Sequence, residues 1–502
     1  MIAMKISKKI YINALLCLVL LGVSSCSDFL TEENESEYTQ DNYFQTREQA
    51  ESAINTLYAS LRFVSDGSGT YGESPFMMLE FATGLCNTEV GQSQFNNAYR
   101  NLTANSEDAY ALNWWQNSYR AIANANLAIA RIPEIDMAQT DKDNLVGQAK
   151  FIRAFYYFHL VRLFGDVPLI LEPVDASSEL LYPARSPQQE VYNAIVTDLK
   201  DVENSGLPFT DESGRVGLGA AKTLLSSVYL TMAGYPLQAG DNYYKLAADK
   251  AKEVIDSKKY SLFTDYDNLH DPSINNTGEI IFQNQYLIGF ATSGLTAWML
   301  PRSRGISQFS DEYGALYPTQ QFIDAHETGD KRLEEQEFYF TEYPSIENPD
   351  ETVDFSATYI YKYFDEDAVL RTAQSSLGWK FFRYAEVLLT YAEAGFEAYG
   401  PTTEVLAAIN EIRDRANLPL YDASITEEDI WKERFYELSF ENKYWFDMAR
   451  RRKALNLSTG SFENFVGHQF SYGPTLTDKY LLFPIPQREI NNNKQLTQNP
   501  GW

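Results

Sequence analysis

Aromatic side chains in two stretches rich in small and polar residues are the residues of this sequence best suited to bind a ligand. The chain has 34 Tyr, 30 Phe and 7 Trp. Most rings pack in cores, but a ring can also cover the apolar C–H face of a sugar while its polar edge stays hydrated. The stretches span residues 65–108 and about 262–377, and long irregular segments of folded chains are usually functional. Their candidates for a sugar-stacking surface are Tyr71, Phe76, Phe95, Asn96, Tyr99, Tyr286, Trp298 and Tyr313.

Trp298 is the strongest of these candidates. It lies among Gly, Ser and Thr residues, whereas a core tryptophan usually has apolar neighbours. Packing of the loop onto the rest of the fold is the alternative role for this ring. The nearby Arg302 and Arg304 could donate hydrogen bonds to sugar hydroxyls or to a carboxylate, although solvated surface charge is the favoured interpretation.

The sequence shows no arrangement of residues that is typical of catalysis. Its four histidines, at positions 159, 270, 326 and 468, have no Glu or Cys at metal-ligand spacing. Gly67-Ser68-Gly69 lacks the strand-to-helix context of a nucleophile elbow, and Cys86 has no evident histidine partner, so a buried thiol is predicted. With 69 acidic residues, pairs of carboxylates will meet by chance. We predict a protein that is not an enzyme, has no cofactor and needs no calcium.

The first residues have the pattern of an export signal. Lys5, Lys8 and Lys9 precede an apolar run over residues 10–23, which ends at Val-Ser-Ser before Cys26. A basic segment, a short apolar segment and a small-residue cleavage site are typical of signal peptides, and the run is short for a membrane-spanning helix. We therefore predict a lipoprotein signal peptide over residues 1–25 and lipidation at Cys26, with an ordinary secretory peptide as the alternative.

Charge and cysteine content limit the possible partners and the means of stabilisation. The 502-residue chain has a formal net charge of −28, which disfavours binding to nucleic acid and to anionic membrane surfaces. Any membrane attachment would therefore depend on the lipid. Cys86 is the one cysteine outside the predicted signal and lipidation site, so a disulfide within the processed chain is excluded.

Apolar residues recur at helical spacing along most of the chain, which predicts a mainly α fold. The predicted helices span residues 47–62, 114–132, 144–164, 188–203, 219–234, 243–257, 384–399, 403–416 and 427–452. Helix pairs about 35 residues apart suggest a tetratricopeptide-like scaffold of helical hairpins carrying a loop-rich binding face, although another packing of hairpins would give the same pattern. Short strands are predicted at residues 279–283 and 359–363.

Several motifs, in order along the chain, resemble those of the SusD/RagB family of nutrient-binding lipoproteins. They are KFIRAFYYFHLVRLFGDVPL at residues 150–169, RYAEVLLTYAEA at 383–394, INEIRDRA at 409–416, ERFYELSFE at 433–441 with WFD at 445–447, LFPIPQREI at 482–490 and QNPGW at 498–502. Residues 442–444 depart mildly from the Gly and Arg that often precede WFD. The resemblance implies an N-terminal region over residues 27–260 and a C-terminal region over residues 261–502, packed as one compact unit.

The resemblance also implies a function. Family members are cell-surface receptors at the outer membrane, lipid-anchored and facing the exterior, which capture a glycan and deliver it to a SusC-like TonB-dependent transporter. Two alternatives stay open, namely a peptide receptor of the RagB type and a protein-assembly scaffold without a small-molecule site.

Many charged residues of these motifs are better suited to scaffold pairing than to ligand contact, because buried charges are seldom left unpaired. They are Arg153, Glu386, Arg413, Arg415, Glu433, Arg434, Glu437, Glu441 and Asp447. The adjacent Trp114 and Trp115 would point about 100° apart on a helix, so both should not face one core. We expect Trp115 to be packed and Trp114 to lie near the ligand.

Overall fold

A computed structural model describes residues 43–66, 74–91, 94–175 and 177–502 of the chain. Residues 46–502 form one compact unit. The predicted signal peptide, Cys26 and Tyr71 lie outside the described residues, and the side chain of Phe95 is not described either. In the part that is described, no helix combines the length and the apolar character needed to cross a membrane.

Helices dominate the structure, as the sequence predicts. The α-helices are α1 (Arg47–Ser60), α2 (Met77–Phe81), α3 (Gln94–Arg100), α4 (Ala109–Arg131), α5 (Gln139–Phe164), α6 (Gln188–Glu203), α7 (Leu218–Ala233), α8 (Asp241–Ser257), α9 (Leu295–Met299), α10 (Gln320–Asp324), α11 (Tyr384–Tyr399), α12 (Thr403–Arg415), α13 (Glu427–Glu437), α14 (Tyr444–Arg451) and α15 (Gln487–Asn492). From α4 to α8 each helix packs against the next, and α8 then packs against α11. The mainly α class is confirmed, whereas the tetratricopeptide-like arrangement stays a prediction.

Capping and small residues set the ends of the long helices. The Asp108 carboxylate accepts hydrogen bonds from the backbone N–H groups of Tyr110 (2.8 Å) and Ala111 (3.1 Å), which would otherwise lack partners at the start of α4. Helix α5 ends at Gly165, whose φ of 76° is strained for residues with a Cβ. The chain then bends at Gly165 and Asp166.

The β structure consists of short antiparallel ladders. Among the described residues the strands are β1 (Cys86–Asn87), β2 (Ile280–Gln283), β3 (Tyr317–Pro318), β4 (Tyr339–Pro344), β5 (Thr352–Ile360), β6 (Lys380–Arg383), β7 (Lys453–Asn456) and β8 (Ser461–Asn464). They pair as β1–β3, β2–β6, β4–β5 and β7–β8. The strand predicted at 279–283 is confirmed, whereas the one predicted at 359–363 is wrong in its bounds because β5 ends at Ile360.

Both adjacent tryptophans of α4 are buried, so the expectation that Trp114 would lie near the ligand is wrong. Trp114 is 0% and Trp115 is 4% exposed. Helix α4 lies between α1 and α5, so more than one of its faces is covered. The ring of Trp114 packs on Phe63 and His159 at centroid distances of 4.9 and 5.3 Å, and Trp115 packs on Phe164 at 5.2 Å.

The helix predicted over residues 427–452 is also wrong, because the chain breaks between α13 and α14. Phe440 and Asn442 have positive φ angles of 60° and 57°. Outside a helix, the carbonyl groups of this segment can accept other hydrogen bonds. The Glu437 carbonyl accepts from Arg383 Nη2 (2.5 Å), the Ser439 carbonyl from Lys362 Nζ (3.1 Å), and the Phe440 carbonyl from the Tyr363 hydroxyl (2.7 Å).

This break lies beside a connected set of buried charges that we call the buried ion network. Its side chains are at most 5% exposed and comprise five cations and five carboxylates. The cations are Arg332, Lys362, Arg383, Arg413 and Arg415, and the carboxylates are Glu279, Asp330, Glu433, Glu437 and Glu441. The scaffold pairing predicted for the charged motif residues is confirmed here, and likewise for Arg153 with Asp198 and Arg434 with Asp447.

Glu437 lies at the centre of the network. Its carboxylate contacts Arg383 (2.6 Å), Arg415 (2.6 Å) and Arg332 (3.2 Å). Burial opposes ionisation of this carboxyl group, but the nearby charges of Arg415, Arg383 and Arg332 outweigh it and lower its pKa to about 2. Glu437 is therefore ionised in the folded protein at neutral pH.

We predict that Glu437→Gln lowers the free energy of unfolding at pH 7 by about 3–5 kcal/mol, because it leaves the five buried cations of the network facing four carboxylates. Glu253→Gln is the matched control. The Glu253 carboxylate pairs with Lys222 and Lys250 at the surface, its side chain is 44% exposed, and its replacement should cost less than about 1 kcal/mol. Urea denaturation of the purified proteins measures both. Equal losses in the two variants would contradict a central role for Glu437.

Wild type and Glu437→Gln also test how the stabilising contribution of Glu437 depends on pH. Since the pKa of Glu437 falls from 4.5 to about 2 on folding, its stabilising contribution is complete above about pH 4.5 and is lost as the pH falls toward 2. The difference in unfolding free energy between wild type and Glu437→Gln should therefore narrow steadily from pH 5 to pH 2.5. A constant difference over this range would show that the carboxylate is not held ionised by its neighbours.

Candidate ligand-binding surface

Several aromatic residues predicted to face a ligand are instead buried. Phe76 and Trp114 are 0% exposed, Tyr99 is 2% and Tyr286 is 9%. Phe76 packs on Trp379 at a centroid distance of 4.6 Å. In this structure these rings have no open face on which a sugar could stack.

The polar atoms of these buried residues are hydrogen-bonded within the fold. Trp114 Nε1 donates to the Pro75 carbonyl (3.1 Å), and the Tyr99 hydroxyl donates to Asp108 (2.6 Å). Asn96, also 0% exposed, accepts from the Tyr110 hydroxyl (2.7 Å). The Tyr286 hydroxyl donates to Asp66 (2.5 Å). Their observed contacts are those of a packed interior.

Trp298 and Tyr313 are the predicted ring residues that the structure brings together at partly open positions. Both are half-buried, and their ring centroids lie 5.0 Å apart at an interplanar angle of 36°. Backbone hydrogen bonds align their segments, because Tyr313 N donates to the Ala297 carbonyl (3.2 Å) and Ala315 N to the Trp298 carbonyl (2.9 Å). The indole N–H of Trp298 has no acceptor among the described residues. We call these two residues the Trp298–Tyr313 pair.

Gly294 lets the Trp298 ring fold back over the start of α9. A Cβ at residue 294 would lie 2.9 Å from the indole nitrogen, closer than real Cβ contacts allow. Helix α9 is also connected to the rest of the fold. The Thr296 hydroxyl donates to the Tyr363 carbonyl (2.9 Å), and the Tyr363 hydroxyl donates in turn to the Phe440 carbonyl, in the break between α13 and α14.

Tyr313 lines a cavity of about 650 Å³. Most of its lining residues have polar side chains, which offer hydroxyl, carboxylate and guanidinium groups. The lining consists of Val90, Arg302, Ser303, Gly305, Ser307, Ser310, Asp311, Glu312 and Tyr313. Burial and a hydrogen bond to Asp311 (2.8 Å) raise the pKa of the Tyr313 hydroxyl, which is therefore protonated at neutral pH. A ring beside hydroxyl and carboxylate groups is an arrangement suited to a polyhydroxylated ligand.

The loop around this cavity is closed by the carboxylate of Glu312. Its Oε1 accepts from the backbone N–H groups of Ile306 (2.7 Å) and Ser307 (2.9 Å), and its Oε2 from those of Arg304 (2.5 Å) and Gly305 (3.0 Å). Four successive backbone donors thus converge on one carboxylate, as they do in anion-binding nests. No sequence pattern marks this role, because Glu312 is one acidic residue among 69.

The two arginines of this loop are tied to Glu89. Arg302 N donates to the Glu89 carboxylate (2.6 Å), and Arg302 Nη1 donates to the Glu89 carbonyl (2.9 Å). Arg304 lies 3.7 Å from the same carboxylate and donates to the Phe355 carbonyl (3.2 Å). Arg302 is exposed and lines the cavity, so its guanidinium can still reach a ligand.

Comparison with known proteins assigns this fold to a family. A family profile described as "SusD family" matches residues 327–502, and one described as "Starch-binding associating with outer membrane" matches residues 28–230. A crystal structure of a SusD superfamily protein from Parabacteroides distasonis is 39% identical, with a TM-score of 0.87 over 93% of this chain and 100% of that one. The chain belongs to the SusD family.

Two further relatives align with this chain over most of its length. SusD-like protein P2 from Formosa agariphila is 29% identical, over 96% of this chain and 98% of its own length. Surface glycan-binding protein A from Bacteroides thetaiotaomicron, solved in complex with laminarihexaose, is 19% identical, with a TM-score of 0.73 over 91% of this chain and 100% of that one. At this identity the second likeness shows the SusD fold alone.

Glu312→Gln tests whether the carboxylate orders the loop of this SusD-family protein. An amide has one oxygen acceptor, and its NH₂ group would face backbone donors. We expect amide hydrogen exchange at residues 304–307 to accelerate by about tenfold or more, consistent with losing hydrogen bonds to a charged group. Glu366→Gln, which removes a carboxylate paired with Arg371 at the surface, should leave these amides unchanged. Unchanged exchange in Glu312→Gln would rule out the ordering role.

Proposed function

We propose that this protein is a lipoprotein of the outer-membrane surface that binds an oligosaccharide or polysaccharide and hands it to a SusC-like TonB-dependent transporter. The carrying observation is the Trp298–Tyr313 pair beside a polar cavity, in a member of the SusD family. Its ring faces would stack on the apolar face of a sugar, and the hydroxyl and carboxylate groups around it would bind sugar hydroxyls.

The relatives support a glycan as the ligand class. One relative was solved with laminarihexaose, and the profile matching residues 28–230 carries a starch-binding description.

The cavity favours binding over catalysis. Glycoside hydrolysis needs two carboxyl groups placed on either side of the scissile bond, one of them free to donate a proton. Here both oxygens of Glu312 accept backbone hydrogen bonds, and Asp311 accepts from the Tyr313 hydroxyl. Carboxylates that accept these hydrogen bonds position the loop and the Tyr313 ring. We therefore propose no enzymatic activity.

Membrane attachment in this proposal depends on Cys26. The basic residues, the apolar run and the small residues before it are typical of a lipoprotein signal. The strongly negative chain would not bind an anionic surface by charge, so the acyl chains would hold it. The description of the matching family profile also refers to association with the outer membrane.

Loss of ring contact should weaken glycan binding. We expect wild type to bind one glycan class in a panel that includes laminarin and starch, and Trp298→Ala and Tyr313→Ala each to weaken binding by about tenfold or more, which corresponds to about 1.4 kcal/mol. Tyr182→Ala is the control, since Tyr182 is 54% exposed and does not line the cavity. Affinity electrophoresis and calorimetry measure the effect.

The other outcomes of this experiment are equally informative. Glycan binding that is unaffected by both substitutions would contradict the site. No binding to any glycan, with saturable binding of a peptide library, would replace the proposed ligand by a peptide. No binding of either class would favour an assembly scaffold.

The anchor is tested by Cys26→Ala, with Cys86→Ala as its matched control. Cys86 is 0% exposed, and its thiol donates to the Glu80 carbonyl (3.5 Å). We expect labelled fatty acid to be incorporated into wild type and Cys86→Ala, and not into Cys26→Ala, which should also leave the membrane fraction. Labelled, membrane-bound Cys26→Ala would contradict lipidation at this residue.

A further inference from the structure

A second cavity, of about 300 Å³, lies where helices α5, α6, α7 and α14 meet the C-terminal segment. It shares no lining residue with the cavity beside Tyr313. Much of its wall is apolar and is formed by Val161, Tyr192, Pro236, Phe446, Leu482 and Pro500. Its volume lies near the lower end of the range for small-molecule pockets.

Arg162 is the most unusual residue of this cavity. Its guanidinium carbon lies 3.6 Å from the ring centroids of both Phe158 and Phe446, so the group is held between two aromatic faces. Its Nε donates to the Phe158 carbonyl (2.9 Å). The two Nη groups carry four further N–H donors, and none of them has a hydrogen-bond partner in the described structure.

No nearby carboxylate is left over to neutralise Arg162. Glu386 pairs with Lys443 (2.7 Å), and Asp447 pairs with Arg434 (2.8 Å) and Arg450 (2.8 Å). Around these residues, the four cations Arg434, Lys443, Arg450 and Arg451 face the three carboxylates Glu386, Glu393 and Asp447. The buried charges beside the cavity therefore already have an excess of positive charge before Arg162 is counted.

Two more cations line the same cavity without an acidic partner in the described structure. Arg452 lies over the Tyr235 ring (5.2 Å), and Lys479 Nζ lies over the rings of Tyr480 (4.7 Å) and Trp502 (4.4 Å). The carboxylate in the lining is that of Asp478, which is exposed and forms no ion pair among the described residues. Besides Arg450, which is paired with Glu393 and Asp447, the lining thus has three cations without an ion-pair partner in the described structure and one carboxylate, in a chain whose net charge is −28.

We propose that this cavity binds a small organic carboxylate. The free Nη groups of Arg162 suit the two oxygens of a carboxylate, because a guanidinium can donate two parallel hydrogen bonds to it. Arg452 and Lys479 add positive charge to the lining, and the apolar wall accommodates a flat or aliphatic body. The site is separate from the proposed glycan surface, so either can fail without the other.

Binding of 4-fluorobenzoate to the full purified protein tests the site by fluorine NMR, with neutral 4-fluorobenzamide as the isosteric probe. We expect saturable binding of the carboxylate and at least tenfold weaker binding of the amide. Arg162→Met keeps an apolar stem between the two rings and removes the donors, so it should weaken carboxylate binding by at least tenfold. Arg452→Gln should weaken it several-fold. Arg120→Gln removes an exposed arginine outside the cavity and should change nothing.

The proposal would be overturned by no saturable binding of the carboxylate, by equal binding of carboxylate and amide, or by full affinity in both Arg162→Met and Arg452→Gln. Competition by inorganic phosphate at equal concentration would reduce the site to a general anion site, and would likewise reject an organic carboxylate as its ligand. If Arg162→Met does not fold, Arg452→Gln decides, since its side chain is on a turn at the rim and bears no partner whose loss would unfold the protein.

Discussion

The buried ion network is the interaction on which the rest of this structure depends. Removing a charged group from water costs several kcal/mol unless its partner is in place, so such a network stabilises the fold only when every member is present. Here the partners come from the residue before β2, from β6, from the turn at residues 330–332, and from α12 and α13, which are spread over the sequence. A shift of any one element would leave buried charges without partners. The network therefore specifies a single register for all of these elements.

The network also determines where the candidate ligand-binding surface lies. Arg383 and Lys362 draw the carbonyl groups of Glu437 and Ser439 toward them, and α13 stops there instead of running on to α14. The carbonyl of Phe440, freed by the same break, holds Tyr363, and the Tyr363 backbone holds Thr296 of α9. Trp298 is two residues further on. A short series of hydrogen bonds thus connects the most buried charges of the protein to its most promising binding ring.

The sequence predicts the scaffold well and the site poorly, for physical reasons. Helical periodicity is a local pattern, and the helices α4 to α8, α11 and α12 follow from it. The scaffold role of charged residues such as Arg415 and Glu437 is predicted as well, because buried charges are seldom left unpaired. The break after Glu437 does not, because residues 427–452 keep a helical pattern and the break depends on distant donors. The burial of both Trp114 and Trp115 depends on helices on more than one side of α4. Glu312 cannot be told from other acidic residues until its loop has folded around it.

The carboxylate of Glu312 has a consequence for selectivity. A loop that must become ordered around a ligand loses conformational entropy on binding, and this loss subtracts from the affinity for every ligand alike. With four of its backbone donors already satisfied, the loop over residues 304–312 has met that cost during folding. Its shape is then a fixed template, so discrimination between ligands rests on how well each one matches that shape, and an ill-fitting ligand cannot recover affinity by remoulding the loop.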